Sequence, residues 1–335
     1  MFNRYAARRL FSILLPLFFL SLAAPGSAGP RKPFRLIMIP DTQEYANAGV
    51  ERIGWPWKDT RSAIFYKQTG WIAANRKALN IRMVAHVGDI VQSDFPAEWE
   101  VASRAFQTLD DSGIPYAACL GNHDMGFRLN SYEKRDWDTA VSRETQFNRY
   151  FPPERFEKHP WYGGAFQKGV NDNYYCLAEA EGLKFLLIAL EFKPRDEVLA
   201  WANRICETYA DRRCIVVTHL YLRPEGQRET RATPQYEITG NNGEEIWQKL
   251  AGVQTNIFLV LSGHYTGEAV LTSTGRSGNT VHQILADYQS WPNKGDGYLR
   301  ILTFIPDEDR IDIQTYSPWL DRYLPTNSLA LHFDM

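Results

Sequence analysis

The amino-acid sequence predicts an α/β fold with two β-sheets, and three features of its hydrophobic pattern support this. First, the apolar runs Phe34 to Ile39, Ile81 to Val87 and Pro115 to Leu120 are separated by helical periodicity, as in parallel strands joined by crossovers. Second, two apolar runs meet at a Glu-Gly pair, which is typical of a hairpin. Third, the apolar runs after His264 are short and closely spaced, which favours antiparallel strands.

Two amphipathic helices are expected between the first three strands, because apolar residues recur there with helical spacing. In the second helix, Asp94 is the expected N-cap and Pro96 lies in the first turn. The apolar positions are Phe65, Ile72 and Leu79 in the first helix and Trp99, Ala102, Phe106 and Leu109 in the second.

The remaining chain is predicted to alternate strands with two further helices. Residues 125–172 carry charges, prolines and aromatics without periodicity and are predicted to form an irregular insertion or lid. The helices are expected near Glu197 to Tyr209 and Glu244 to Leu250. The strands are expected at Asn173 to Ala178, Lys184 to Leu190, Arg213 to Val217, Asn256 to Leu261, Glu268 to Thr272, Thr280 to Ala286, Tyr298 to Phe304 and Arg310 to Tyr316.

The first 28 residues are predicted to be a signal peptide, so we expect a secreted or periplasmic protein. Arginines precede a predominantly apolar run, Leu10 to Ala24, which leads to small residues ending at Ala28. Pro16 interrupts this run, which makes an uncleaved membrane anchor the weaker interpretation. The pair Arg8-Arg9 leaves general and twin-arginine export both open. Residues 29–335 are then one domain, with a β-rich C-terminal segment and no membrane span.

Composition excludes some classes of function. The chain is 44% hydrophobic and 23% charged, which fits a folded globular protein. Loss of the leader removes three arginines and no acid, so the formal charge moves from -2 to -5. An acidic protein is not expected to bind nucleic acid through its phosphates. Four cysteines do not have zinc-site spacing; Cys206 and Cys214 could pair, and Cys119 and Cys176 are expected to be buried thiols.

Residues that can bind metal follow five of the predicted strands. They are Asp41, Asp89, Asn122 within the Gly-Asn-His-Asp run at 121–124, His219 and His264. Because Gly88 has no Cβ, the backbone before Asp89 can turn sharply and let a ligand approach. Strands that end at one edge of a sheet bring such side chains together, so the sequence predicts one shared site.

The residue types at this site indicate its chemistry. Carboxylate, amide and imidazole ligands suit Zn, Mn or Fe rather than copper. Two such ions about 3.5 to 4 Å apart can clamp an in-line displacement and lower the pKa of a bound water to about 7. This chemistry serves the hydrolysis of phosphate esters.

At these residues the sequence resembles the calcineurin-like metallophosphoesterases, whose motifs are Asp-x-His, Gly-Asp, Gly-Asn-His-Asp/Glu, a lone His and Gly-His-x-His. The resemblance runs from residue 34 to about residue 290, and the Gly-Asn-His-Asp match is highly specific. It implies that Asp89 bridges two divalent ions, drawn from Mn, Zn, Fe or Mg. It also implies that Asp41 belongs to the first metal position and that Asn122, His219 and His264 complete the second.

The resemblance also implies a fold and a catalytic residue. The implied fold is a four-layer α/β/β/α sandwich of two mixed sheets, which agrees with the pattern of strands and helices. His123 would stabilise the transition state or protonate the leaving oxygen, and Asp124 would orient it. The implied activity is hydrolysis of a small-molecule phosphate mono- or diester.

Two residues depart from the family motifs, and both belong to the first metal position. Gln43 stands where histidine is usual, and Thr266 stands at the second histidine of Gly-His-x-His. Glutamine can still bind through its carbonyl oxygen, whereas threonine is a poor ligand. The first position is therefore expected to hold a harder ion more weakly, unless Glu44 or Asp287 replaces the missing histidines.

Other functions remain open from the sequence. The family alone suggests a protein Ser/Thr phosphatase, and the departures at Gln43 and Thr266 allow a metal-binding recognition protein with weak catalysis. A serine hydrolase is disfavoured because the chain has no Gly-x-Ser-x-Gly motif. Aromatic residues could form a substrate-stacking wall or could simply pack their loops. These residues are Trp55, Trp57, Trp137, Trp161 and Tyr162.

Overall fold

The structure is a computed structural model that describes residues 29–46, 61–126, 128–129, 137–325 and 329–332. The predicted signal peptide lies outside these residues, as do Trp55 and Trp57. At residues 128–129 and 137–138 only the backbone is described, which also leaves the Trp137 side chain out.

Most of the strands form two seven-stranded sheets. The first sheet contains β1 (Phe34–Ile39), β2 (Ile81–His86), β3 (Tyr116–Ala118), β13 (Leu299–Ile305), β14 (Arg310–Ser317), β15 (Arg322–Tyr323) and β16 (Leu329–His332). The second contains β6 (Tyr162–Ala165), β7 (Tyr174–Ala180), β8 (Leu183–Ala189), β9 (Arg213–Val217), β10 (Ile257–Ser262), β11 (Gly267–Thr274) and β12 (Thr280–Asp287). A small ribbon pairs β4 (Arg128–Leu129) with β5 (Trp137–Asp138).

Both sheets are mixed, and parallel pairs form the centre of each. In the first sheet β1 and β3 flank β2 in parallel, and β13 adds to β1 antiparallel. In the second sheet β8, β9, β10 and β12 are parallel neighbours, while β7 and β11 pair antiparallel at either side. The parallel strands bring their carboxyl ends to one edge of each sheet, which is where ligand sites form in such folds.

The longer helices cover the outer faces of the two sheets. They are α2 (Ser62–Asn75) and α3 (Pro96–Ser112) on the first sheet and α6 (Asp196–Thr208) on the second. The shorter helices are α1 (Gln43–Ala46), α4 (Phe147–Tyr150), α5 (Pro153–Glu157) and α7 (Gly243–Ile246), which continues into a π-helical turn at Trp247–Ala251. Single 3-10 turns lie at Pro292–Lys294 and Pro306–Glu308.

Aromatic side chains hold the two sheets face to face. Phe34 on β1 stacks on Phe304 of β13 with ring centroids 4.8 Å apart, and it meets Phe185 of β8 edge-on at 5.6 Å. Phe258 of β10 contacts Phe304 from the other sheet at 6.3 Å. The order of layers is therefore helix, sheet, sheet, helix, which confirms the predicted four-layer α/β/β/α sandwich.

The second predicted helix forms as α3, but its N-terminus differs from the prediction. Its predicted apolar face is buried, and Pro96 opens the helix as expected. Asp94 does not cap it: the residue before the helix is Phe95, with no side-chain cap. The Asp94 carboxylate instead accepts from the indole Nε1 of Trp99 at 2.7 Å and from the backbone N–H of Gln146 at 2.9 Å. The carboxylate thus ties the helix to the segment that follows β5.

The segment predicted as an irregular insertion contributes to the core. Its described part holds α4 and α5, and β6 extends the second sheet by pairing with β7. Phe147, Phe151 and Phe156 are completely buried. Helices of a single turn are too short to show a periodicity, which explains why the sequence pattern missed them.

The four cysteines are free thiols in this structure. Cys119 and Cys176 are buried in the core, as expected. The sulfurs of Cys206 and Cys214 lie 3.6 Å apart, in hydrogen-bond contact rather than bonded to each other. Within the described residues, no helix is both long and apolar enough to cross a membrane.

We predict that Phe106→Ala lowers the free energy of unfolding by about 3–5 kcal/mol, because it leaves a cavity in a packed core. Phe106 is fully buried and packs edge-on against Phe65 and Phe151, with ring centroids 6.0 and 5.2 Å away. Urea denaturation would measure the loss. Tyr323→Ala is the control, since Tyr323 is 53% exposed, and it should cost about 1 kcal/mol or less. Equal losses in the two variants would contradict the packing argument.

Candidate metal centre

The ends of β2, β9 and β10 bring three metal-binding side chains together. One ligand atom each from Asp89, His219 and His264 lies within 4.8 Å of the others. His219 Nε2 is 3.3 Å from Asp89 Oδ2 and 3.2 Å from His264 Nδ1. Residues far apart in the chain and from both sheets therefore meet at one point, as the shared-site prediction required.

Asn122 completes this group. Its Oδ1 lies 2.9 Å from His264 Nδ1, and its Nδ2 donates to Thr139 Oγ1 at 2.9 Å. Because the amide nitrogen is used by Thr139, the amide oxygen is the atom that faces the imidazoles. That oxygen is the atom able to bind a metal.

His219 is held in the orientation that a metal ligand needs. Its ring is fully buried, and Nδ1 lies 2.7 Å from the backbone oxygen of Val87. A carbonyl oxygen can only accept, so Nδ1 carries the proton and donates it. The other nitrogen, Nε2, faces Asp89 and is the atom that a metal would bind, which is the arrangement usual for metal-bound histidines.

Tight backbone contacts fix Asp89. The residue has a left-handed backbone (φ 48°), and its Oδ1 accepts from the backbone N–H of His123 at 2.9 Å. A Cβ on Gly88 would lie 2.7 Å from the His219 ring, and one on Gly121 would lie 2.1 Å from Asp89 Oδ1. Gly88 and Gly121 are therefore required so that the ends of β2, β3 and β9 can approach each other.

Asp41 lies beside this group with one oxygen unsatisfied. Its Oδ2 accepts from the backbone N–H of His264 at 3.2 Å. Its Oδ1 is buried without a hydrogen-bond partner, and a Cβ on Gly263 would lie 2.2 Å from it. Buried carboxylate oxygens are rarely left unpaired. This oxygen fits the predicted role of Asp41 as a metal ligand.

Gln43 also faces the site, whereas Thr266 does not. The Gln43 side chain is buried, and its Nε2 donates to Asp89 Oδ2 at 3.2 Å. Its Oε1 is buried without a partner, as expected of an oxygen available to a cation. The Thr266 hydroxyl donates to Asp287 Oδ2 at 3.1 Å. Glu44 pairs with Lys294 at 3.1 Å and with Arg61, so it is engaged away from the site.

His123 borders the site, but Asp124 does not orient it as predicted. The His123 Nδ1 is 2.7 Å from the backbone oxygen of Gln92. The Asp124 carboxylate accepts instead from three backbone N–H groups, those of Gly121, Ile90 and Val91, at 2.8 to 3.1 Å. Asp124 therefore fixes the two ligand-bearing loops relative to each other, and a main-chain carbonyl orients His123.

Burial and charge shape the protonation of these groups. Burial opposes charge on His219, but the Asp89 carboxylate raises the His219 pKa above its usual value. Burial and the neighbouring His219 lower the pKa of His264 to about 3, so its imidazole is neutral and able to bind a metal. Burial, with repulsion from Asp287 and Asp89, raises the pKa of Asp41. A divalent cation would relieve that repulsion, so the donor set fits a metal centre.

The other histidines lie outside this group of side chains, as do Trp161 and Tyr162, the two described residues of the possible substrate-stacking wall. His86 is a core residue whose Nε2 is 2.9 Å from Thr42 Oγ1. Trp161 is buried and stacks with His159 at 4.9 Å, so it packs the core rather than a substrate. Tyr162, the first residue of β6, packs against the buried rings of Phe156 and Tyr174.

Several residues at the site were not predicted from the sequence. Phe192 and Tyr236 contact the His264 ring from the side, with centroids 5.9 and 6.2 Å away. Gln289 receives a short hydrogen bond from Gln43. Gln92 acts through its main-chain oxygen, a role for which residue type gives no signal. Phe192 follows β8, the parallel neighbour of β9, so knowledge of that pairing could have indicated it, whereas Tyr236 lies in the irregular segment after β9.

Comparisons with known proteins agree with this geometry. The sequence model of the calcineurin-like phosphoesterases matches residues 34–268, a range that includes every ligand position described above. The chain is 34% identical over 294 residues to the uncharacterized protein YvnB of Bacillus subtilis, which covers 86% of this chain and 20% of that protein. The chain thus spans about a fifth of the length of this relative.

Two solved structures of low sequence identity are similar to this chain, and the first of them shares its fold. The purple acid phosphatase PPD1 from seeds of yellow lupin, Lupinus luteus, has a TM-score of 0.50 and 13% identity, covering 91% of this chain and 54% of that one. GAP50, the anchor in the inner membrane complex of Plasmodium, has a TM-score of 0.45 and 12% identity, covering 89% of each chain.

We predict that Gly121→Ala weakens metal binding, because the added methyl group must displace Asp89. The Cβ would lie 2.1 Å from Asp89 Oδ1 and 2.3 Å from its backbone nitrogen. We expect a loss of affinity of roughly ten-fold or more, as for other changes that misplace a ligand. Metal content after equilibrium dialysis measures it. The control is Gly70→Ala in α2, where a Cβ meets nothing within 4 Å and should add about 0.5–1 kcal/mol of stability. Full metal content in Gly121→Ala would show that Asp89 is not a ligand.

Proposed function

Because the chain belongs to the calcineurin-like phosphoesterase family, we propose that it hydrolyses small phosphate esters at the metal centre built on its strand ends. One observation carries the proposal: Asp89, His219 and His264 converge within 4.8 Å although they come from both sheets. The neutral His264 and the buried, unpaired oxygens of Asp41 and Gln43 support it.

We assign the ligands to two positions that share Asp89. Asn122, His219 and His264 would complete the second position, since their ligand atoms face one another. Asp41 and Gln43 would belong to the first position, where each offers a buried oxygen. When bound, the divalent ions supply Lewis acidity and activate water for attack on phosphorus.

His123 is placed to assist departure of the leaving group. Its ring is partly buried, and the Gln92 carbonyl fixes Nδ1, so Nε2 is the ring atom that remains to face a substrate. As an imidazolium it can donate the Nε2 proton to the leaving oxygen or stabilise charge on the phosphoryl group. Asp124 supports this indirectly, by anchoring the loop that carries His123 to the loop that carries Asp89.

The substrate class and the location are part of the same proposal. We infer a mono- or diester of phosphate as the substrate, because the acidic chain has no electrostatic preference for long polyanions. Removal of residues 1–28 during export would place the enzyme outside the cytoplasm, as a secreted or periplasmic protein.

The function is tested by the turnover of aryl phosphate mono- and diesters with added Mn²⁺. The wild-type chain should hydrolyse at least one of the two classes, and a chelator should abolish the activity. Asp89→Ala should abolish it too, because this carboxylate contacts ligands of both positions. The circular dichroism of this variant should stay native. Equal turnover by Asp89→Ala, prepared identically, would assign the activity to a contaminant or another site.

We predict that His123→Ala lowers turnover by roughly 10² to 10⁴-fold, the usual contribution of a positioned proton donor. Its metal content should stay near that of wild type, because His123 contributes its backbone N–H, not its ring, to Asp89. The loss should be smaller for nitrophenyl phosphate than for phenyl phosphate, since nitrophenolate leaves without a proton. His159→Ala is the matched control, because His159 lies by Asp110, away from the site. An equal loss of turnover on both esters would show that His123 does not protonate the leaving group.

A further inference from the structure

A line of hydrogen-bonded side chains runs from Asp89 to the end of β12. Gln43 Nε2 donates to Asp89 Oδ2 at 3.2 Å and also to Gln289 Oε1. Gln289 in turn donates to both oxygens of Asp287, from Nε2 at 2.9 Å and from its backbone N–H at 2.8 Å. The Thr266 hydroxyl donates to Asp287 as well. Asp287 thus positions Gln289, and Thr266 helps to hold Asp287.

Sheet topology explains how residues so late in the chain reach the site. β12 runs parallel to β10, and Leu285 pairs with Ser262 across them. The end of β12 therefore emerges at the same edge as His264, which follows β10. Asp287 and Gln289 lie beyond residues 34–268, the range that the family model matches. The family motifs therefore give no indication of their role.

Two buried oxygens beside this line have no hydrogen-bond donor. They are Asp41 Oδ1, on a residue that is 6% exposed, and Gln43 Oε1, on a residue that is completely buried. Leaving such an oxygen unsatisfied costs roughly 1–3 kcal/mol. The negative charges of Asp287 and Asp89 also repel a negative charge on Asp41. A cation compensates both an unpaired buried oxygen and buried negative charge.

The Gln43 amide shows where that cation would bind. Its nitrogen lies between two oxygens, Asp89 Oδ2 and Gln289 Oε1, so the positive end of an amide dipole is surrounded by acceptors. Half a rotation of the terminal amide exchanges its nitrogen and oxygen. After that rotation three oxygens would face one another, an arrangement that a bound cation stabilises.

We propose that Gln289 is a ligand of the first metal position, together with Asp41, Gln43 and Asp89. This inference rests on the proposed function, since it completes the same metal centre. Gln289 takes the place of the histidine that Thr266 lacks, and Asp287 orients it. The first position is then built from carboxylate and amide oxygens alone, which suit Mn²⁺ or Mg²⁺. The second position, with two imidazoles, suits Zn²⁺ or Fe²⁺, so the centre is selective for two different metals.

Metal binding tests this without relying on catalysis. The full chain is loaded with one equivalent of Zn²⁺ and titrated with Mn²⁺, with free Mn²⁺ followed by electron paramagnetic resonance and bound zinc by elemental analysis. Wild type should keep its zinc and bind one Mn²⁺. Gln289→Ala should keep its zinc, which shows that it is folded, and should bind Mn²⁺ roughly ten-fold or more weakly. Gln248→Ala is the matched control, since the Gln248 side chain is exposed and donates to the Glu244 carboxylate, a residue outside the candidate metal centre.

A second substitution tests the chemistry of the ligand. Gln289→His introduces an imidazole, so the first position should bind Zn²⁺ in preference to Mn²⁺. Unchanged Mn²⁺ affinity in Gln289→Ala would overturn the inference while leaving the proposed hydrolysis intact. The opposite outcome is also distinguishable. If Mn²⁺ binding depends on Gln289 but the chain hydrolyses no phosphate ester, the proposed function is overturned and the ligand assignment stands.

Discussion

The Asp89 carboxylate is the group on which the architecture of the site depends. It accepts from the backbone of His123, in the loop after β3 of the first sheet, and from Gln43. It also contacts His219, which follows a strand of the second sheet. Full burial makes a lone carboxylate costly, so the two sheets must dock in a single register that supplies these partners. The strand ends, the glycines beside them and the loop fixed by Asp124 all follow from this requirement.

Much of the fold was predictable, because strand and helix periods are local properties of the sequence. β1 and β9 form over the predicted residues, and α3 buries its predicted face. Predictions failed where a contact between distant segments decides the structure. Asp94 has the chemistry of a helix cap, yet a competing pair of donors, the indole of Trp99 and the backbone of Gln146, uses its carboxylate. A sequence pattern cannot express that competition.

The metal centre was predictable to the same degree. The motif residues Asp89, His219 and His264 converge as expected, since the strands that carry them end at one edge. The family motif predicts that the Asp124 carboxylate orients His123, whereas the main-chain carbonyl of Gln92 holds its ring. Gln289 was not predicted, because its importance follows from the pairing of β12 with β10, a contact between strands that no local motif records.

The spread of the proposed ligands between two sheets also bears on when the proposed centre could acquire metal. Neither sheet alone holds the ligand set, so the affinity of the unfolded chain or of a half-folded one is low. Selection of the ion by such a centre would therefore take place wherever the two sheets first dock. An export route for unfolded chains would leave that choice to the ions of the extracytoplasmic space, whereas a route for folded chains would let cytoplasmic metal supply decide it before export.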